Sequence, residues 1–244
     1  SLVTIQAGAD DIDFSTCLLH DITHFAGTEC VSNGHVISTV ATKLQHVEAA
    51  ITATVKALSP YAGDIAVLGY YDPVPAPEDF QSSTEFHGAA VDPVCFGLAH
   101  NQAKTYSDSV VIQAALNSAI RAGVNAAGVS NAMYVNIENV FDHHEMCTGS
   151  SAVFAGEPMG VSAAELTELG LCVGGAVVAT AGFSPFSVFG NIAATLAASL
   201  ACEPIANTIK SHFWRAAHPN SYGQQDIANA LVQALASAPT TPPT

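Results

Sequence analysis

A histidine near the carboxyl terminus is the residue best suited to chemistry in this chain. His218 is followed directly by Pro219 and Asn220, and Gly223 closes the same short stretch before a helix-like run. Imidazole is the side chain best suited to proton transfer near neutral pH. Proline fixes the backbone beside the histidine, which places the imidazole in a turn at the mouth of a helix rather than inside it. The pattern therefore predicts a general base at His218.

Alternating strands and helices must position this residue. Apolar positions three and four apart in residues 35–58 are typical of an amphipathic helix. Shorter apolar runs of strand length alternate with such helices, which predicts a parallel sheet covered on both faces. Ligands of these sheets bind beyond the carboxyl ends of the strands, where the loops after Ala7, Tyr70 and Val140 would lie. The predicted strands are residues 2–7, 64–70 and 132–137, and the predicted helices are residues 35–58, 103–127 and 221–236.

Composition excludes several classes of protein. The chain has 244 residues, of which 49% are hydrophobic and 11% charged, so it is long enough for one α/β domain and too apolar for disorder. Its formal net charge of −15 would repel phosphates, so no nucleic-acid partner is expected. Six cysteines, an even number, favour an oxidising compartment. Because the chain begins within a strand pattern, we expect any export signal to lie upstream.

An apolar stretch runs between Glu168 and Glu203 without a charged residue. A break at Ser184-Pro185 leaves neither half with the roughly 20 residues that a spanning helix needs, so no transmembrane span is expected. One interpretation is a buried helical hairpin. The other is an apolar lid, or a surface that receives acyl chains or a partner. Residues 238–244, rich in proline and threonine, predict a frayed end or linker.

Four short motifs occur in an order that resembles one enzyme family. Residues 8–11 (Gly-Ala-Asp-Asp) look like the third conserved block of the SGNH (GDSL) hydrolases, Gly-x-Asn-Asp, and residues 218–223 look like the fifth block. Residues 67–70 (Val-Leu-Gly-Tyr) and 141–147 (Phe-Asp-His-His-Glu-Met-Cys) resemble motifs of the actinobacterial secreted esterase and lipase branch, the second written Phe-x-Gly-His-Glu-x-Cys. The match covers most of the chain except an apolar insertion at about residues 151–205.

The resemblance implies one domain over residues 1–237 with a flavodoxin-like, three-layer α/β/α fold and ester hydrolase activity on acyl esters. A serine would attack the ester carbonyl, and His218 would take its proton. Arg215 stands where many members have an aspartate that orients the histidine. A guanidinium cannot accept a hydrogen bond from imidazole, so we expect the Arg215 main-chain carbonyl to take that role. The apolar insertion favours a substrate with a lipid-like or bulky acyl group.

The oxyanion site departs from the family pattern at Asp10. The matching family residue is an asparagine that donates a hydrogen bond to the oxyanion, whereas an ionised carboxylate only accepts and would repel it. Three alternatives stay open. Asp10 is protonated in a low-dielectric pocket, or backbone donors at Gly8 suffice, or the site is weak or inactive. For the neighbouring Asp11 we expect a capping role in the turn.

The nucleophile is the largest departure. The family serine lies in Gly-Asp-Ser, upstream of the third block, and no Gly-Asp-Ser occurs in this chain. Ser107-Asp108-Ser109 lies in a helix pattern, and Ser184 lacks the strand-turn-helix context of a nucleophile elbow. We therefore expect the serine on an amino-terminal segment outside this chain, either a separate companion chain or a removed piece. The alternative is a non-catalytic binding module of the same origin that has lost the nucleophile and the oxyanion asparagine.

The resemblance also implies disulfides. Cys17–Cys30 and Cys95–Cys147 match two family pairs, and Cys172–Cys202 would then bracket the apolar insertion. The sequence alone leaves the connectivity open. Together with the family branch, these bridges predict a secreted, extracellular protein.

No metal or organic cofactor is expected. No Cys-x-x-Cys occurs, and the adjacent His143 and His144 tend to point apart on one segment. We expect His144 to line the cleft or to form hydrogen bonds within its loop.

Overall fold

A computed structural model of the chain describes residues 1–23, 28–80, 93–145, 147–148, 219 and 221–237. Strands and helices alternate along these residues, as the sequence predicts. The strands are β1 (Leu2–Ile5), β2 (Val31–Ser32), β3 (His35–Val36), β4 (Asp64–Leu68) and β5 (Ala132–Val135), and the helices are α1 (Phe14–Thr23), α2 (Ser38–Leu58), α3 (Pro93–Ala127) and α4 (Ser221–Ser237).

Three strands form a parallel sheet in the order β1-β4-β5. Val3 pairs with Ile65, and Ile65 pairs in turn with Ala132 on the other side. Parallel neighbours need a crossover connection, which α2 supplies between β1 and β4 and α3 supplies between β4 and β5. The predicted mixed α/β architecture with a parallel sheet is confirmed.

The two faces of the sheet bury separate apolar clusters. Successive residues of a strand point to opposite faces, so Ile65 and Val67 of β4 pack in a cluster with α2 and α3. Ala66 and Leu68 pack in the second cluster, which includes Ile227 of α4. The central strand is therefore buried on both sides, which explains its continuous apolar sequence.

The predicted start of the second helix is wrong. Residues 35–36 form β3, which pairs with β2 in a short antiparallel hairpin, and α2 begins at Ser38. Asn33 and Gly34 connect the two strands with φ angles of 53° and 75°. Two left-handed residues are what a two-residue hairpin turn of the tightest kind requires, and Asn-Gly is its preferred sequence.

The helix predicted over residues 103–127 begins earlier, at Pro93. Its backbone leaves helical geometry at Asn101, where φ is −145° and ψ is 29°. The side-chain amide of Asn101 donates a hydrogen bond to the Asp21 carbonyl of α1, at 3.2 Å. The predicted start therefore falls just after this break in α3.

Cys17 and Cys30 form a disulfide, which is the pair that the family resemblance implies. Cys147 is also disulfide-bonded. The side chain of Cys95, its expected partner, and both Cys172 and Cys202 lie outside the described part of the structure. So do the apolar insertion and the tail after residue 237. Among the described residues, no helix is both long and apolar enough to cross a membrane.

Gly8, directly after β1, is required by its backbone and by its neighbours. Its φ is +120°, and a Cβ there would lie 2.9 Å from Val47 Cγ1 and 3.1 Å from Leu116 Cδ1. We expect Gly8→Ala to lower the free energy of unfolding by about 3 kcal/mol, because strain and overpacking add. Gly34→Ala is the matched control, since Gly34 has φ +75° with no atom within 4 Å of an added Cβ, and should cost only about 1 kcal/mol. Urea denaturation measures both; equal losses would contradict the packing argument.

Candidate functional site

The carboxyl ends of the three parallel strands bring the predicted motifs together. The backbone N–H of Ala9, after β1, donates a hydrogen bond to Tyr70 Oη, after β4, at 3.4 Å. The side-chain amide of Gln6 donates to the Gly69 carbonyl at 3.1 Å. Gly69 N–H donates across to the Val135 carbonyl of β5 at 3.0 Å. Loops far apart in sequence thus form one surface, as the parallel topology requires.

The loop after β1 is held by its own backbone. Ile12 N–H donates to the Gly8 carbonyl at 3.3 Å, and Phe14 N–H donates to the Ala9 carbonyl at 3.0 Å, which leads the chain into α1. Within the described residues, the Asp11 carboxylate accepts no hydrogen bond from this turn, so its expected capping role is not seen.

Asp10 is exposed at this surface, whereas Gly8 is buried. The Gly8 N–H meets no acceptor in the part of the chain that the structure describes. The three alternatives for the oxyanion site stay open.

A stripe of polar residues on α3 holds the segment after β4. Asn117 is only 2% exposed. Its Oδ1 accepts from the Tyr70 N–H at 2.7 Å, and its Nδ2 donates to the Tyr70 carbonyl at 2.8 Å and to Glu138 Oε1 at 3.2 Å. Gln113 also donates to the Tyr70 carbonyl, at 3.0 Å. One side chain of α3 thereby fixes the end of β4 and the loop after β5.

Farther along α3, polar residues of the stripe form hydrogen bonds with the loop that follows β4. Ser109 Oγ donates to Asp72 Oδ1 at 2.6 Å, and Gln102 Nε2 donates to the Pro75 carbonyl at 2.7 Å. Both α3 residues are buried. Ser109, part of a motif rejected as a nucleophile, thus has a structural role. The signal for it in the sequence is a set of polar residues at helical spacing on α3, namely Gln102, Thr105, Ser109, Gln113 and Asn117.

A cleft of about 400 Å³ opens between this loop, α3 and the loop after β5. We call it the acidic cleft, because six carboxylates line it and neither lysine nor arginine does. The lining residues are Asp72, Val74, Ala76, Glu78, Asp79, Tyr106, Val110, Gln113, Ala114, Glu138, Asn139, Asp142, His143 and Glu145. Within the described ranges, no three His, Cys, Asp or Glu side chains converge as a metal-binding set.

Two carboxyl groups in the acidic cleft are short of partners. Asp72 Oδ2 and Glu145 Oε2 are buried and have no hydrogen-bond partner among the described residues. Burial is the main cause that raises the pKa of Asp72 to about 7, and the charge of Glu145 raises it further. Hydrogen bonds from Ser109 and from the Val74 N–H oppose this rise. Burial also raises the pKa of Glu145.

The two histidines after β5 behave differently. His143 lines the acidic cleft, and its Nδ1 lies 2.9 Å from Asp79 Oδ2. This hydrogen bond raises the pKa of the exposed His143. His144 is exposed, and its backbone N–H donates to the Phe141 carbonyl at 2.7 Å. This bond is made by the backbone, so the roles expected for the His144 imidazole stay predictions.

His218 and Arg215 lie outside the described residues. The structure does describe Pro219 and α4, which follow them. Helix α4 packs against β5, and Ile227 joins the cluster that contains Leu68. Among the predicted site residues, the described part therefore places Gly8 and Asp10 beside Tyr70. Sequence reasoning missed the buried carboxyls of Asp72 and Glu145.

No protein-family model matches this chain, and neither a curated protein nor a solved structure shows a significant match to it.

Because the pKa of Asp72 is raised, the effect of replacing this residue on stability depends on pH. Between the ordinary value of 3.8 and the folded value of about 7, the folded protein holds a proton that the unfolded chain has released. This carboxyl therefore lowers stability as pH rises through that window. We expect the stability of Asp72→Asn relative to wild type to increase over the window by up to about 4 kcal/mol. Urea denaturation at several pH values measures this difference.

Asp64→Asn controls for the loss of one charge, because Asp64 is exposed at the opposite end of β4. Its stability relative to wild type should stay nearly constant over the same range. A constant difference for Asp72→Asn as well would show that the buried carboxyl does not titrate as described.

Asn117 offers a test of the polar stripe. We expect Asn117→Ala to lower the free energy of unfolding by about 2–4 kcal/mol, because in a partly buried position the Tyr70 N–H loses its partner and the Tyr70 carbonyl keeps only Gln113. Asn125→Ala in the same helix is the control, since Asn125 is exposed and alanine favours helix. Thermal and urea unfolding measure both. An Asn117→Ala variant that loses no more free energy of unfolding than Asn125→Ala would contradict the role of the stripe.

Proposed function

We propose that this chain is part of a secreted serine ester hydrolase of the SGNH type, acting on acyl esters. The proposal rests on one observation above all. Three of the four family-like motifs, separated by up to about 130 residues in sequence, follow adjacent parallel strands at one end of the sheet. Parallel α/β enzymes build their sites at that end. Apolar clusters on both faces of the sheet agree with the flavodoxin-like, three-layer fold that the proposal requires.

The proposed roles follow the chemistry of acyl transfer. A serine hydroxyl, supplied by an amino-terminal segment outside these 244 residues, attacks the ester carbonyl while His218 takes its proton. The main-chain carbonyl of Arg215 orients the imidazole. The backbone N–H of Gly8 donates to the oxyanion. His218 then returns the proton to the leaving alcohol, and water releases the acyl group by the same steps.

The disulfide between Cys17 and Cys30 agrees with the extracellular location in this proposal. The substrate would be a lipid-like or bulky acyl ester, which is the class that the apolar insertion favours.

The test uses the protein as its natural gene produces it. After treatment with a fluorophosphonate probe, denaturing intact-mass analysis should find the adduct on a serine outside residues 1–244. We expect His218→Ala to lower hydrolysis of nitrophenyl acyl esters by at least about 10³-fold. His35→Ala removes an exposed histidine in β3 and should leave the rate unchanged. Equal rates for both variants would exclude His218 as the base.

Asp10 provides a second test. Its exposed carboxylate lies beside the proposed oxyanion donor in sequence and repels a developing negative charge. We expect Asp10→Asn to raise kcat by up to about 10²-fold, because asparagine donates where aspartate repels. Asp11→Asn makes the same change one residue later and should have little effect. An Asp10→Asn variant no faster than wild type would remove Asp10 as the cause of a weak site.

A binding module is the second candidate, and the exposed Asp10 favours it, since a charged carboxylate opposes oxyanion binding. It predicts that the natural protein neither reacts with the fluorophosphonate nor hydrolyses esters, with or without Asp10→Asn. That outcome would replace the hydrolase proposal.

A further inference from the structure

Two buried carboxyl oxygens in the acidic cleft have no hydrogen-bond partner among the described residues. Glu145 is 8% exposed, lines the cleft, and leaves Oε2 without a hydrogen-bond partner in the described residues. Asp72 Oδ2 is in the same condition. A buried carboxylate oxygen without a donor costs free energy. Such a group calls for an explanation, and a bound ion that supplies the missing donor is one.

We propose that the acidic cleft binds the protonated primary amine of a small organic molecule. An ammonium group carries three N–H donors and a positive charge, so it satisfies orphaned carboxylate oxygens in both respects. The cleft volume of about 400 Å³ lies in the usual range for small-molecule sites. The site requires only binding, so it stands or falls separately from ester hydrolysis.

The wall of the cleft suits an alkyl chain next to that amine. Ala76, Val110 and Ala114 contribute apolar surface alongside the carboxylates. A ligand with an ammonium group at one end and a short hydrocarbon chain at the other matches both parts of the lining. A metal ion matches less well, because it needs several convergent ligands, and the described residues offer no group of three.

The electrostatics of the neighbourhood agree. The carboxylates of Asp72, Glu78 and Glu145 all act on Tyr106, and burial together with their charge raises the pKa of that phenol. The only basic side chain among the described lining residues is His143, which pairs with Asp79. An incoming ammonium ion is therefore attracted throughout the cleft.

The first experiment is a titration of the full protein with n-butylammonium at mildly alkaline pH, followed by NMR or calorimetry. We expect saturable binding in the millimolar range or tighter. n-Butanol has a similar shape without the charge, and tetramethylammonium has the charge without N–H donors. Both should bind at least about tenfold more weakly. Equal binding of either probe, or no saturation with n-butylammonium, would overturn the proposal.

Two variants locate the binding. Glu145→Gln keeps the shape of the side chain without its charge and should weaken n-butylammonium binding by about 10- to 100-fold. Val110→Lys changes a residue of α3 that is 37% exposed, so we expect the variant to fold. The ammonium group of the introduced lysine should occupy the cleft and block the probe. Asp64→Asn, outside the cleft, should bind as wild type does.

Circular dichroism checks that each variant is folded. Binding that neither cleft variant reduces would overturn the assignment, as would an equal loss in Asp64→Asn. Titration with Ca²⁺ tests the competing ligand: calcium that binds, loses affinity in Glu145→Gln and excludes n-butylammonium would assign the cleft to a metal ion instead.

Discussion

The arrangement of the whole carboxyl end of the sheet depends on hydrogen bonds from one helix. After β4 the chain leaves the sheet, and its partly buried backbone groups need new hydrogen-bond partners. The side chain of Asn117 satisfies both the N–H and the carbonyl of Tyr70. Farther along the loop, Gln102 donates to the Pro75 carbonyl and Ser109 donates to the Asp72 carboxylate. Because losing hydrogen bonds of this kind costs free energy, α3 stabilises the loop in the conformation observed.

That constraint also explains the acidic cleft. The loop that α3 holds is the one that carries Asp72 into the interior, and the same asparagine contacts Glu138 beyond β5. Two loops from neighbouring strands are thereby fixed with their carboxylates facing each other across a small volume. In a chain with 21 acidic and 6 basic residues, few cations exist to pair with them. The cleft is acidic both because the chain has few basic residues and because the fold brings these carboxylates together.

Much of the described fold follows from sequence pattern, and most of the site does not. Apolar periodicity locates α2 and the central strand within a few residues, because burial of one helix stripe and of a two-sided strand leaves a direct trace. The Asn33-Gly34 turn also had a recognisable signal, which the longer helical period concealed. Asp72 and Glu145 gave none: whether a carboxyl is buried depends on residues more than 30 positions away, such as Ser109, and no local pattern records that. The same limit applies to His218, whose partners cannot be found from its loop alone.

The central position of β4 has a consequence for how the protein reaches its fold. Both neighbours of β4 pair with it in parallel, across crossovers of roughly 60 residues each, so the sheet forms only after two long loops close. Such topologies fold slowly, since the chain must lose the entropy of closing each loop before strand pairing stabilises it. The bond between Cys17 and Cys30 lies inside the first crossover and shortens its effective length. Oxidation early in folding would therefore favour pairing of β1 with β4 before β5 is added, which gives the assembly of the sheet an order in time.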